Sequence, residues 1–494
     1  MALPLELVIL VSIVILALPI GVVLLVRKIG FVRTLDDFLI AKHVTPMPLI
    51  AASVTALYIW GSSIIGSAEG AYDFGISGTW IYPLYSVGLW VFGIWAYRLR
   101  ALIPYAVTYI EWFTLRFRFK PLHMLVLLYA LATSLFGAMA QTTAAGFTYV
   151  GVTLGLPNAY QIGVILVTIL AVIYVFTVGL WGSLIATWIK ANMTMILHVL
   201  TALVLWLVIG GPGTVINVIN ESSNNINADF FNLLNPSALI LYLPSVLAWA
   251  LFSLPMQQDY WQIALSADSS KSASRGFLNA GIWWFFMPFL ASSLGFAYYI
   301  FQIAGKVPKV AVGTEAYPTL IGLYAPLWVN VVFLLAIIAI AIGTIGQALL
   351  AMGTVISQEI YKKYINKNPS ERDILRVTRI GILIAAIVLA ASTIMPISTL
   401  ILLLFMPLYM APLVGGFMLS MWKGWVRAEP TFVGGIVGLV VGTYMFVVQG
   451  LWGPSMIVAF LLGIGITVLG SLIKRDNFDF KKIEYLRAKR DVHG

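Results

Sequence analysis

The sequence contains no cysteine, so it holds no disulfide, no thiolate metal site and no cysteine nucleophile. Charge is almost as scarce: Asp, Glu, Lys and Arg make up 10% of 494 residues, against about 25% in a soluble domain. With 61% hydrophobic residues and a mean hydropathy of +0.97, the chain reads as an all-α polytopic membrane protein. No glycine-rich phosphate loop leads into a basic residue, so no nucleotide fuels it and a self-contained pump is excluded. No Ser-His-acid set, no acid/base pair within the apolar runs and no metal-spaced His/Asp/Glu cluster stands out. That argues against an enzyme, and no cofactor is expected beyond Na+ or H+ as a coupling ion.

Apolar runs near the length of about 20 residues that a bilayer requires recur along the chain. The expected spans are 5–26, 48–72, 78–97, 122–148, 160–179, 181–209, 238–256, 277–302, 326–357, 377–393, 397–421, 430–449 and 452–473. That makes thirteen, which puts the termini on opposite sides. The opening "MALPLELVILVSIVILALPIGVVLLV" lacks a basic n-region and a clear cleavage site, so it is expected to be a retained helix and not a signal peptide. With the N-terminus outside, all but three of the 29 Lys and Arg are cytoplasmic. Arg98, Arg100, Arg116, Arg118 and Lys120 share one loop, Lys362 to Arg379 another, and a third group occupies the tail from Lys474. This is a positive-inside pattern, so the net charge of +10 faces anionic lipid and not nucleic acid. The expected location is the plasma membrane, with the C-terminus in the cytoplasm.

The polar stretch 211–236 reads as an external loop whose Asn220-Glu221-Ser222 fits a glycosylation acceptor. The tail "KRDNFDFKKIEYLRAKRDVHG" reads as solvated, with a surface amphipathic helix as the alternative. The expected parts are an extra helix (1–30), a core (31–430), two C-terminal helices (431–473) and the basic tail (474–494).

Two spans carry helix-breaking residues. "PLIAASVTALYIWGSSIIGSAEGAY" has Gly61, Gly66 and Gly70 interleaved with Ser62, Ser63 and Ser67, and "ALILYLPSVLAWALFSLPMQQ" has Pro244 and Pro255. Interrupted helices five spans apart point to an inverted-repeat transporter with a midplane site, although the halves show no residue-level repeat. Trp60, Gly61, Ser62 and Ser63 mark the first break, and Ser253 and Trp249 on the partner helix are expected to face them.

The segments "TLDDFLIAKHVTPMPLIAASVTALYIWGSSIIGSAEGAYDFGI", "RALIPYAVTYIEWFTLRFRFK", "DYWQIALSADSSKSASRG" and "AIAIGTIGQALLAMGTVISQEIYKKY" resemble, in order, motifs of the sodium:solute symporter family. The resemblance covers about residues 30–430. It implies a leucine-transporter-like fold, a five-plus-five inverted repeat working by alternating access. It also implies a sodium site made by the carbonyls of Ala56 and Ile59 with Ile340, Gly343 and Thr344. Here the chain departs from the family, which has a hydroxyl residue where Gly343 stands and "WTDVIQ" where this chain has "IATWIK". Thr187 replaces the Asp and Lys190 the Gln.

Lys190 is the single Lys, Arg, Asp or Glu between Tyr160 and Ile219. A lysine deep in the bilayer costs about 2.5–3.5 kcal/mol on insertion scales. It either snorkels to the cytoplasmic surface, binds a substrate carboxylate, or places its ammonium in the vacated sodium position. The coincident loss of sodium ligands favours the last, with hydrogen bonds to Ala56, Ile59 and Thr344 Oγ1. Glu69, the other deep ionisable residue, either faces a watery vestibule or serves substrate or protons. Asp73 is expected at the surface and His198 as a packed histidine.

The sequence therefore predicts a monomeric secondary active symporter of a small polar organic solute, such as an amino acid or monocarboxylate. It is proton-coupled if Lys190 replaces sodium. The alternatives are an ordinary sodium symporter and a membrane solute sensor (transceptor), which binds its ligand without carrying it.

Overall fold

Lipid offers no hydrogen bonds, and a helix satisfies its backbone within one segment. The computed structural model describes residues 3–29, 34–222, 226–481 and 483; among them are helices, turns and one isolated bridge between Thr45 and Ala267, with no β-strand. The main helices are α1 (Leu5–Ile29), α2 (Met47–Tyr58), α3 (Gly61–Phe74), α4 (Ser86–Leu102), α5 (Lys120–Thr153), α6 (Ala159–Val208), α7 (Pro236–Phe252) and α8 (Gln258–Ser266). They continue with α9 (Ser270–Ile303), α10 (Leu327–Val355), α11 (Glu371–Thr393), α12 (Thr399–Phe405), α13 (Ala411–Ser420), α14 (Ala428–Val447) and α15 (Trp452–Ile473). Among the described residues, seven helices are long and apolar enough to cross a membrane, or up to ten if each bent pair is one span.

The spans expected at 160–179 and 181–209 form one helical run, α6. It is not a straight rod. Sixteen helical residues cover about 24 Å, yet Lys190 Nζ lies 3.6 Å from the centre of the Tyr174 ring. The run therefore doubles back between them. Its returning part reaches α10 and α9, through Thr194 Oγ1 to the Ala336 carbonyl (3.5 Å) and Trp206 Nε1 to Ser293 Oγ (3.1 Å). The span expected at 78–97 starts later, at Ser86, because 3₁₀ turns occupy Gly75–Trp80 and Pro83–Tyr85. The stretch read as a loop at 211–236 opens with a helix, Gly211–Glu221, so Asn220 sits on a helical turn.

The centre of the bundle is α10, buried at every position from Ala336 to Val355. Glycine lets the broken helices approach their scaffold. A Cβ at Gly295 of α9 would stand 2.0 Å from the Ala68 carbonyl oxygen of α3, and one at Gly88 of α4 would stand 2.1 Å from that of Ala250 in α7. Any side chain at either position would push a broken helix away.

The first described residues and those that follow α15 lie at opposite ends. Near the start, Leu3 N–H donates to the Val152 carbonyl at the end of α5 (2.7 Å). Beyond α15, the chain docks at the end rich in Arg and Lys. Arg116, on the short helix Ile110–Phe117, pairs with Asp476 (2.8 Å) and donates to the carbonyls of Gly424 and Val426. Asp476 and Phe478 N–H groups bond to the carbonyls of Trp425 and Gly424. Residues 476–478 are therefore pinned, where a solvated tail was expected. Burial pulls the Arg116 guanidinium below its ordinary value, and Asp476 opposes that shift.

A second clasp joins the same end. Glu359, on the π-helical turn Ile356–Ile365 that continues α10, is 1% exposed. It accepts from His123 Nε2 (3.0 Å), Lys363 Nζ and Thr108 Oγ1, and Lys363 also reaches Thr114 (2.9 Å). Removing one partner of a buried ion pair costs about 3–5 kcal/mol. Glu359→Ala should therefore lower the melting temperature of the detergent-purified chain well beyond Lys363→Ala, whose side chain is partly exposed. Equal melting of Glu359→Ala and wild type would show that the clasp holds nothing.

Candidate functional site

Helix α2 ends at Tyr58, Ile59 and Trp60 leave helical geometry, and α3 resumes at Gly61 with its axis bent by 48°. Of the backbone donors from Ile59 to Ile64, all but Gly61 N–H have a partner. Ile59 N–H goes to the Thr55 carbonyl (2.9 Å), Trp60 N–H to Tyr58 (3.0 Å), and Ser63 and Ile64 N–H to Trp60. Ser62 N–H goes to Gln141 Oε1 (3.4 Å), while Gln141 Nε2 donates to Ser62 Oγ (3.1 Å). None of these donors takes the carbonyls of Ala56 or Ile59, so two strong acceptors are left open at the break.

The second break follows α7. Ser253 leads into the 3₁₀ turn Leu254–Met256, and α8 begins at Gln258. The break falls at Pro255, whereas Pro244 stays inside α7, so only one of the two prolines interrupts the helix. Thr133 Oγ1 and the Tyr109 hydroxyl secure the turn by donating to the Met256 carbonyl (3.0 and 3.2 Å). The two breaks meet through aromatic rings. Trp249 lies 6.0 Å from Trp60 edge to face and stacks on Tyr85 at 4.3 Å.

Between the breaks lies a cavity lined by Leu57, Trp60, Gln141, Gln257, Asp259 and Thr344 among others. Its open space is about 10 Å³, room for about one water molecule. Thr344, buried on α10, donates through Oγ1 to the carbonyls of Ile340 (2.9 Å) and Ala341 (3.2 Å), leaving its oxygen lone pairs to act as ligands. Ile340 and Gly343 are buried on the same helix. Gly61 packs against Ile337, one turn before Ala341. The break, Thr344 and the partner break are thus brought together.

Lys190 is 4% exposed, and its ammonium sits on the Tyr174 ring without any hydrogen bond. The contacts expected with Ala56, Ile59 and Thr344 Oγ1 are not formed, and neither does the side chain snorkel. The aromatic face supplies the attraction instead, as it does for a desolvated cation. Tyr174 in turn packs against Gly346, where a Cβ would stand 2.8 Å from its ring. The lysine therefore lies one ring away from α10, at Gly346. The side chain of Thr187 lies outside the described residues.

Glu69 is neither in a watery vestibule nor in the cavity. It is 1% exposed and accepts from Ser398 Oγ (2.6 Å) and from Leu400 N–H (3.1 Å), at the start of α12. Thr399 N–H donates to Thr314 Oγ1 (3.3 Å), and Gly313 packs against Glu69 and Asp73. One carboxylate thus fastens α12 and the loop Gly313–Glu315 to α3. Asp73 is exposed, as expected. His198 is buried against the Tyr317 ring, 6.2 Å away, with neither ring nitrogen hydrogen-bonded.

Sequence reasoning missed Ser134, Gln141, Gln257 and Asp259. Asp259 opens the motif "DYWQIALSADSSKSASRG", but the expected span ended at 256 and left it outside. An acid three residues past an interrupted helix was the available signal.

A model of the sodium:solute symporter family matches residues 38–438. Among curated relatives, the urea-proton symporter DUR3 of Oryza sativa subsp. japonica is 24% identical over 387 residues, 72% of this chain and 52% of that protein. The urea active transporter of Saccharomyces cerevisiae is 22% identical over 367 residues, 70% and 49% of the two chains. The chain thus spans about half the length of these urea transporters. The sodium/proline symporter of Escherichia coli is 26% identical over 382 residues, 74% and 73% of the two chains. The structure of a Na+-coupled sialic acid symporter, in a substrate-bound outward-open state, superposes with a TM-score of 0.72 at 16% identity, covering 96% of this chain and 99% of that one. The matched region includes both helix breaks and α10, and the chain belongs to the sodium:solute symporter family.

Proposed function

We propose that the chain is a secondary active symporter that moves a small polar solute across the plasma membrane by alternating access. The solute binds between the two helix breaks, where the cavity of about 10 Å³ must widen to admit anything larger than a water molecule. The observation that carries this reading is the first break, where no backbone donor takes the carbonyls of Ala56 and Ile59 beside a cavity lined by Thr344. Backbone left open at membrane depth is tolerated where it lines a site. The names of the relatives, carriers of urea and proline, fit a compact polar solute. Placing the Arg- and Lys-rich end in the cytoplasm follows the positive-inside pattern and sets the N-terminus outside.

Lys190 is the coupling element in this reading. Its ammonium rests on Tyr174 in the closed arrangement and moves onto the oxygens of Ala56, Ile59 and Thr344 in the other. Three donors suit three oxygens, and the proton is held differently in the two states. The ordinary sodium-coupled alternative is favoured by the intact acceptors at Ala56, Ile59 and Thr344.

Proteoliposomes loaded with the full chain and given radiolabelled urea or proline decide between them. At clamped membrane potential, uptake should follow an imposed proton gradient and ignore a sodium gradient. Lys190→Ala should uncouple the two. Sodium-driven uptake at constant pH, or unchanged coupling in Lys190→Ala, would sink the lysine mechanism.

Alternating access also requires the end fastened by Glu69 to open. Because the chain has no cysteine, a single Thr314→Cys substitution reports on this end without background. Maleimide labelling should rise several-fold when Glu69→Ala is added, and less with Glu69→Gln, which can still accept the Leu400 N–H. Labelling that ignores Glu69→Ala would show that the carboxylate does not hold this end shut.

A further inference from the structure

The cavity carries a pattern of unmet polarity that is specific about its ligand. Asp259 is 7% exposed, and its Oδ1 has no hydrogen-bond partner. No lysine, arginine or histidine forms an ion pair with it among the described residues. Gln257 Nε2 and Ser134 Oγ, on the same wall, are also buried and unbonded. Gln141 and Thr344 are already engaged with Ser62 and with the α10 backbone. Trp60, which also lines the cavity, has a buried Nε1–H without a partner, so the open set is one carboxylate acceptor, two N–H donors and one hydroxyl. The carboxyl accepts from backbone N–H groups at the start of α8, but no cation pairs with it, and a buried charge is costly unless it is paired, so Oδ1 is left for a ligand to satisfy.

We infer that the carried solute presents an N–H group to Asp259 and an oxygen to Gln257. The class is a small nitrogenous solute of the urea, amide or amine type. The same carboxylate repels monocarboxylates and other anions that lack an N–H. The reading rests on the cavity being the solute site. The Trp60 and Trp249 rings beside it admit a cationic head group as well as a neutral one. Charge therefore separates two sources of one chemistry: urea needs only an acceptor, whereas an ammonium needs the negative charge too.

The test is equilibrium binding of radiolabelled urea and of radiolabelled methylammonium to the full chain in detergent, with potassium acetate as competitor and no gradient present. One of the two should bind, and acetate should not compete. Asp259→Leu should weaken that binding by about tenfold or more, the range expected for a lost hydrogen bond to a charged group. Asp259→Asn should leave urea binding nearly intact but reduce methylammonium binding as Asp259→Leu does. Melting temperatures of both variants identify any that fail to fold, and Asp259→Asn, close to isosteric, is the safeguard. Failure of both probes to bind, displacement by acetate, or binding unchanged in Asp259→Leu would overturn the inference. Binding without uptake in proteoliposomes overturns the symport reading alone. Uptake that survives Asp259→Leu overturns this inference alone.

Discussion

A helix interrupted at membrane depth must find partners for the peptide groups it releases, and much of this structure is arranged around that constraint. At the first break the donors are retained locally or handed to Gln141, while the carbonyls of Ala56 and Ile59 stay open. At the second, Thr133 and Tyr109 cover the Met256 carbonyl. The asymmetry is informative. At the first break most backbone N–H groups are used locally while two carbonyls are not, which suits a cation or an N–H-bearing solute. The glycines at 88 and 295 serve the same end, because they let the interrupted helices lie on backbone with no side chain between.

Helix α10 separates the two unusual charged groups. Thr344 and Ala348, one turn apart, line the cavity with Asp259. Gly346, about 200° round the helix from Thr344 at 100° per residue, contacts the ring that carries Lys190. The acid and the lysine are thus held apart by a packed helix and do not neutralise each other. Directly paired, they would offer neither a coupling cation nor a solute acceptor. Each instead meets its desolvation cost in a different way. Lys190 uses an aromatic face, while Asp259 accepts from backbone N–H groups at the start of α8.

Much of this was legible in the sequence because the signals are local. Apolar runs marked most spans, Gly61 with its serines marked the first break, and Pro255 marked the second. Motif order identified the family. Distances across the bundle were not legible. That Glu69 meets Ser398 and Leu400 depends on how α3 packs against α12, hundreds of residues away, and no local pattern encodes it. Lys190 was correctly singled out by its isolation, but its partner Tyr174 became visible only once α6 doubled back. Asp259 was overlooked for a different reason. An acid at the end of an apolar run resembles the start of a loop, and here the helix resumes beneath it.

The two ends of the bundle are closed by different chemistry, and that difference bears on how a carrier of this kind turns over. At the basic end, Glu359 is shared among His123, Lys363 and Thr108, with Arg116 and Asp476 beside it, so opening there separates ion pairs. At the other end Glu69 holds α12 through a hydroxyl and a backbone N–H, with no cation in the contact. Breaking a buried ion pair exposes two uncompensated charges, whereas releasing Glu69 exposes one carboxylate that water can solvate at once. On the symport reading proposed above, the Glu69 end is the easier of the two to open, and the basic end is the one whose opening needs help from what the carrier binds.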